Sequence, residues 1–197
     1  MWNTQVTDWI IQIDQRLFLF LNSFHSPFLN SLMSFLSGQL VWLPLLGYFF
    51  WYSLKKNGTS GTLLFSLFLF LTIIASDVTS SYILKNVFER LRPCRQLDLI
   101  PLIYSFGQKC GGKYGFVSSH AANSMALILF SIRVLPLDKK LTYLFFVIPL
   151  LVGFSRIYLG VHFPSDILGG FAVGAIWSIV LSFFYQSAQG ANRYNSH

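Results

Sequence analysis

Charge is scarce in this chain. Asp, Glu, Lys and Arg together make up 11% of its 197 residues, against about 25% in a typical soluble globular domain. With 54% hydrophobic residues, 18% aromatics and a mean hydropathy of +0.57, that scarcity excludes a soluble globule and predicts a single-domain integral membrane protein. The charge that remains is mostly positive, a formal +7. Nucleic-acid readers set Lys and Arg on one hydrated face, whereas long apolar runs separate them here, so anionic lipid or phosphate is the expected partner and nucleic acid is not. Cysteine is nearly absent: Cys94 and Cys110 share one polar stretch without C-x-x-C spacing. That excludes a cysteine metal framework and leaves a disulfide open, depending on whether the stretch faces an oxidising compartment. Carboxylates number only seven and form no cluster suited to Mg²⁺. There is no repeat or low-complexity tract, and no basic region precedes the first apolar stretch, which argues against a cleaved signal peptide.

What is present is apolar and helical in period. Over residues 4–24, Val6, Trp9, Ile10, Ile13, Leu17, Phe20, Leu21 and Phe24 recur at helical spacing, with Asp8, Gln12, Asp14, Gln15 and Arg16 filling much of the rest. A polar face of that extent predicts a helix lying in the membrane interface, with a short first span from Ile10 to Phe24 as the alternative. Spans are predicted over 27–53, which holds Gly38 and Pro44, and over 61–84, 118–135, 141–159 and 164–186. The expected fold is therefore an all-α membrane bundle of five to six membrane helices. Asp77, inside the span 61–84, is expected to face the bundle and bond Ser76, Ser80 or Ser81 rather than to act in catalysis. Residues 85–117 form the one long polar loop, punctuated by Gly107, Gly111, Gly112 and Gly115. The tail 187–197 is polar and expected to fray.

Orientation has two opposing signals. Arg16, Lys85, Arg90, Arg92, Arg95, Lys109, Lys113 and Arg156 fall on one face, against Lys55, Lys56, Arg133, Lys139, Lys140 and Arg193 on the other. A bare positive-inside count would put the polar loop in the cytoplasm. Several cations of the larger group look committed to a ligand, however, whereas the paired lysines of the short turns have no other task. The loop is therefore assigned to the outside.

Three polar clusters meet on that outer face. Lys85 and Arg92 stand seven positions apart before Pro93, which places them on one helical face if the helix runs on past Leu84; a basic patch anchoring the helix to headgroups would look the same. Ser118, Ser119 and His120 directly precede a span. Serine is a preferred N-cap, and the uncapped N–H groups with the positive dipole end suit a phosphate. The third cluster runs from Ser155 to Asp166. Pro164 suits the first helical position, leaving Phe163 at the cap, His162 before it and Asp166 at the third position, where a carboxylate reaches back as in a capping box. Such a carboxylate can fix the imidazole tautomer and free the other ring nitrogen to attack. Together the clusters supply what phosphoryl transfer needs: Lys85, Arg92 and Arg156 as clamps, helix N–H groups, and two histidines, one to attack and one to protonate.

Lys85 through Arg92-Pro93 matches K-x6-RP, and Ser155-Arg156 through His162 and Asp166 matches SR-x5-H-x3-D; Val117-Ser118-Ser119-His120 keeps part of PSGH, without its proline and glycine. In these motifs the chain resembles the type 2 phosphatidic acid phosphatase family, membrane lipid phosphatases related to vanadium haloperoxidases. The resemblance implies a core of six membrane helices, no cofactor, and a phosphohistidine formed on His162 with Asp166 orienting it. His120 would protonate the leaving alkoxide and then activate water, while Lys85, Arg92, Ser118 and Arg156 would hold phosphate oxygens. Ser119, where the family has glycine, would bind through its N–H less directly or through its hydroxyl. The expected activity is removal of a terminal phosphate from a membrane lipid at the outer face of a bacterial inner membrane. Candidate substrates are undecaprenyl diphosphate, phosphatidylglycerol phosphate, phosphatidate and lipid A. The compact loop favours a carrier-lipid diphosphate; lipid A competes, since Arg90, Arg95, Lys109 and Lys113 could engage further phosphates. A transporter or lipid-binding protein, using Asp77 and the histidines for ions or protons, is the reading from another class.

Overall fold

The computed structural model describes residues 4–107 and 110–194, with side chains for 8–107 and 110–190; Lys109, the side chains of Val6 and Arg193, and the end of the tail at 195–197 lie outside these. Its helices are α1 Thr4–Asn22, α2 Pro27–Leu36, α3 Trp42–Val78, α4 Lys85–Phe88, α5 Ser119–Val134, α6 Lys139–Tyr158 and α7 Pro164–Tyr194. A π-helical stretch, Thr79–Leu84, joins α3 to α4, and the loop after α4 holds two short 3₁₀ turns. Among the described residues, three helical stretches are long and apolar enough to cross a membrane: Trp42–Phe88, Lys139–Tyr158 and Pro164–Gly190. The first reverses at Gly58, whose left-handed φ of 66° breaks α3 into two legs, and Thr62 of the second leg meets Ser53 of the first. These two legs with α5, α6 and α7 make the bundle, and α1 packs outside it.

The sequence reading joined 27–53 into one span. The chain instead ends α2 at Leu36 and restarts at Trp42, because Ser37, Gly38 and Gln39 interrupt the apolar run and Ser37 turns inward, 5% exposed. The tail also differs: α7 continues through Tyr194, since Ala188, Gln189 and Ala191 are adequate helix formers and no proline stops them.

Small residues set the centre. Ala121, Ala122 and Ala126 of α5 are fully buried against α7, and a Cβ at Gly174 would sit 2.2 Å from the Ala122 carbonyl oxygen. Close backbone approach of this kind is how membrane helices gain packing without a hydrophobic drive. It also fixes register, because the Ser118 N–H donates to the Asp166 carbonyl at 2.9 Å, tying the start of α5 to the start of α7. At the opposite end Phe49, Phe65, Phe130, Phe145 and Tyr185 form an aromatic core.

On α1, Asp14, Phe18 and Asn22 are buried at helical spacing while Trp9, Ile10, Ile13, Leu17 and Phe20 are exposed. Asp8, Gln12 and Arg16 are exposed as the amphipathic reading expects, but Asp14 belongs to the inward face. Asn22 anchors the helix, donating to the carbonyls of Tyr104 and Tyr158 and accepting from the Tyr104 N–H. Asp77 faces the bundle, accepting from Asn123 at 2.8 Å and from Ser81 at 3.3 Å.

Candidate active site

The turn between α6 and α7 carries His162, which is 1% exposed. Pro164 opens α7, and the Asp166 carboxylate turns back so that Oδ2 accepts from the Phe163 N–H at 3.0 Å and faces His162 Nδ1 at 3.3 Å. His162 Nε2 lies 3.1 Å from Arg92 Nη1. A guanidinium can only donate, so Nε2 must be the unprotonated nitrogen and Nδ1 must carry the hydrogen that faces Asp166. Two neighbours of fixed polarity thus select the tautomer with its lone pair on the clamp side. The His162 pKa is lowered well below the ordinary imidazole value, by burial first and then by Arg92, Arg156, Lys85 and His120. These four groups are the remaining titratable candidates from the sequence, and all of them lie near enough to His162 to act on its charge.

Each cation is placed by a different element. Arg156 ends α6, 7% exposed; its guanidinium donates to the Ser37 hydroxyl, and its Nε has no partner among the described residues. Arg92 is also 7% exposed, with Nε donating to the Tyr114 carbonyl at 3.1 Å; burial lowers its pKa from the ordinary value, against the nearby Asp166. Lys85 Nζ donates to Ser119 Oγ at 3.3 Å. The expectation that Lys85 and Arg92 share one helical face is not met. Glu89, in the left-handed region at φ 46°, ends the helix early, and Arg92 is extended, its N–H on the Lys113 carbonyl. The loop, rather than a continuing helix, carries Arg92 to His162. Gly115 allows that approach, because a Cβ there would stand 3.0 Å from Asp166 Oδ2 and 3.2 Å from Arg92 Cγ. Cys94 and Cys110 form a disulfide, Cα–Cα 5.9 Å, which closes the same loop.

Ser118 is fully buried as the N-cap of α5, its hydroxyl accepting from the Ala121 N–H. Ser119 is the serine whose hydroxyl turns to a cation. His120, half-buried in the first turn of α5, lies against the Ser37 backbone. Ser37 is not among the candidates that the motifs indicate, although the polar break at Ser37-Gly38 in an apolar run signals it. From sequence Asp14 is one polar residue of the first helix and Arg90 a candidate contact for further phosphates, yet Arg90 donates to Asp166 Oδ1 at 2.9 Å and to Asp14 at 2.6 Å.

A buried imidazole with its lone pair toward Arg92, two further cations near it, a carboxylate behind it and a second histidine at a helix start can accept a phosphoryl group and stabilise its spread charge. Comparisons with known proteins find relatives that are lipid phosphatases. The lipid A 4′-phosphatase of Porphyromonas gingivalis is 34% identical over 169 residues, spanning 86% of this chain and 71% of that protein. The protein of the same name from Bacteroides thetaiotaomicron is 32% identical over 169 residues, spanning 85% of this chain and 74% of that one. The crystal structure of a transmembrane PAP2-type phosphatidylglycerolphosphate phosphatase from Bacillus subtilis has the same fold, with a TM-score of 0.68 and 24% identity over 90% of this chain and 87% of that one. The family model described as PAP2 superfamily matches residues 63–189, a stretch that contains Lys85, Arg92, Ser118, Ser119, His120, Arg156, His162 and Asp166, and the chain therefore belongs to the PAP2 superfamily.

Proposed function

We propose that this chain is a metal-independent lipid phosphate phosphatase that works through a phosphohistidine. The observation that carries the reading is the fixed tautomer of His162, with Nε2 toward Arg92 and Nδ1 toward Asp166. When the substrate phosphate enters, Arg92 transfers its hydrogen bond from Nε2 to a phosphate oxygen, and Nε2 attacks phosphorus. The bond from phosphorus to the lipid oxygen breaks, and His120 gives that oxygen its proton. His120 then takes a proton from water, the hydroxide displaces His162, and inorganic phosphate leaves. Lys85, Arg92 and Arg156 offset the charge on the transferred group, with the Ser118–Ser119 start of α5 beside them.

Within this class lipid A is the substrate favoured here, on the similarity to two lipid A 4′-phosphatases over 86% and 85% of the chain. The structure does not favour Arg90 as a contact for a further phosphate, since two carboxylates already hold it. Undecaprenyl diphosphate is the second reading, which the compact, disulfide-closed loop favours. The site is assigned to the outer face of a bacterial inner membrane, supported by the Cys94–Cys110 disulfide, which suits an oxidising compartment. Phosphate release from lipid A, undecaprenyl diphosphate, phosphatidylglycerol phosphate and phosphatidate, assayed side by side in detergent with EDTA and with vanadate, tests the reading. Activity in EDTA, inhibition by vanadate and loss of activity in His162→Ala are expected. Persistent release by His162→Ala would remove the nucleophile assignment and reopen a transport or lipid-binding role.

A further inference from the structure

The first turn of α7 is held from outside by a pair of residues whose identity none of the three motifs specifies. Asp14, on the inward face of α1, accepts from the Ser165 N–H at 2.9 Å and from the Ser165 hydroxyl. Its Oδ2 also takes Arg90 Nη2 at 2.6 Å, while Arg90 Nη1 reaches Asp166 Oδ1 at 2.9 Å. The guanidinium is stretched between two carboxylates and lies over the Phe163 ring, 4.2 Å from its centroid. The side chains of Asp166, Asp14 and Arg90 are 0%, 9% and 24% exposed, so water competes little for these bonds.

The arrangement matters because of what Asp166 must do. Its Oδ2 serves both the Phe163 N–H and His162 Nδ1, and Oδ1 is held by Arg90. The terminal torsion of an aspartate is broad, so a carboxylate fastened through one oxygen can turn away from the imidazole. Arg90 fastens the other oxygen, and Asp14 fastens Arg90. We propose that Arg90, braced by Asp14, is the positioning residue that holds Asp166 against His162, which makes α1 a working part of the reaction centre rather than an anchor alone.

This inference deepens the phosphatase reading and rests on it. A purely structural role, tying α1 to the bundle, predicts something different: lower thermal stability with unchanged turnover by the folded enzyme. Full-length protein in detergent micelles, with lipid A as substrate, separates the two. Arg90→Gln should lower kcat about 10- to 100-fold, the range for losing a charged hydrogen bond, with KM changed less than about 3-fold because the phosphate clamps are untouched. Arg90→Lys should recover part of kcat, since one ammonium can reach one carboxylate but lacks the two-armed fork. Asp14→Asn, which leaves Arg90 on Asp166 but weakens its brace, should lower kcat less. Asn22→Ala loosens α1 at a site that does not touch Asp166, and should lower the melting temperature while leaving kcat of the folded fraction within about 2-fold.

The decisive measurement is the double-mutant cycle. In an Asp166→Asn background, Arg90→Gln should cost little further activity, because the residue through which it acts is already lost. Full additivity of the two losses would overturn the proposal, as would an unchanged kcat in Arg90→Gln or an equal kcat loss in Asn22→Ala. His162→Ala separates these failures from failure of the phosphatase reading: an inactive His162→Ala beside a fully active Arg90→Gln sinks the positioning role alone. Should Arg90→Gln not fold, Asp14→Asn with and without Asp166→Asn gives the same cycle.

Discussion

Asp166→Asn isolates what the carboxylate contributes beyond filling space. The native group accepts three hydrogen bonds, from the Phe163 N–H, from Arg90 and from His162 Nδ1–H. An amide has one acceptor oxygen, so its NH₂ must face a donor. With the oxygen kept on Arg90, the NH₂ confronts both the Phe163 N–H and His162 Nδ1–H, and the imidazole escapes by moving its hydrogen to Nε2, the atom that must attack. With the oxygen on Phe163 and His162, the NH₂ confronts the guanidinium. The first arrangement loses two hydrogen bonds to the carboxylate and the second loses one, each worth about 1.5–3 kcal/mol. At about 1.4 kcal/mol per factor of ten, kcat should fall roughly 10- to 10⁴-fold. KM should change little, because Lys85, Arg92 and Arg156 remain. The assay is phosphate release from lipid A micelles across a range of substrate concentration, with a melting curve to show that the protein is folded. A folded Asp166→Asn enzyme within about 3-fold of the parent kcat, or one whose loss lies wholly in KM, would refute the reasoning.

The pH profile tests the His162 environment. Its pKa is lowered, so the neutral, attacking form persists as pH falls and is lost only on passing through the depressed value. The acid limb of kcat/KM, which reports the free enzyme, should lie below about 6.5, the ordinary imidazole pKa; a limb at or above that value contradicts the assignment. Replacing Arg92 by Gln removes a cation beside Nε2 and should move the limb of the residual activity upward. Gly174→Ala puts a Cβ 2.2 Å from the Ala122 carbonyl oxygen, and overpacking of this kind costs about 1–3 kcal/mol; an unchanged melting temperature in detergent would show that α5 and α7 are not in close contact. Cys94→Ser with Cys110→Ser opens a loop of sequence separation 16, which the chain-entropy account values at about 3 kcal/mol. Since that loop carries Arg92, KM should rise along with the loss of stability, and KM is read from the same lipid assay under non-reducing conditions.

Features encoded by short spacing were legible in the sequence. A proline, a carboxylate two positions on and a histidine two positions back are enough to place His162, Pro164 and Asp166 about one helix start, because a capping geometry needs only neighbours. Contacts across the chain were less so. Asp14 lies 76 residues from Arg90, and periodicity tells which residues share a face without telling which face turns inward. In water the polar face of a helix points out; against lipid tails the apolar face can point out as well, because hydrocarbon outside is no less apolar than the core. On α1 the exposed Trp9, Ile10, Ile13, Leu17 and Phe20 and the buried Asp14 and Asn22 show this reversal. Ser37 was passed over for a related reason, since one serine in an aliphatic run hardly changes its mean hydropathy. Polar groups sealed from both water and lipid must find partners inside: Asp14 meets Arg90, Asn22 the carbonyls of Tyr104 and Tyr158, Ser37 Arg156, and Asp77 Asn123. In such a chain an isolated polar residue within an apolar helix is better read as a pointer to the inside of the bundle than as a patch of surface. By that criterion α1 faces the reaction centre through Asp14, which is why its loss should be felt at His162.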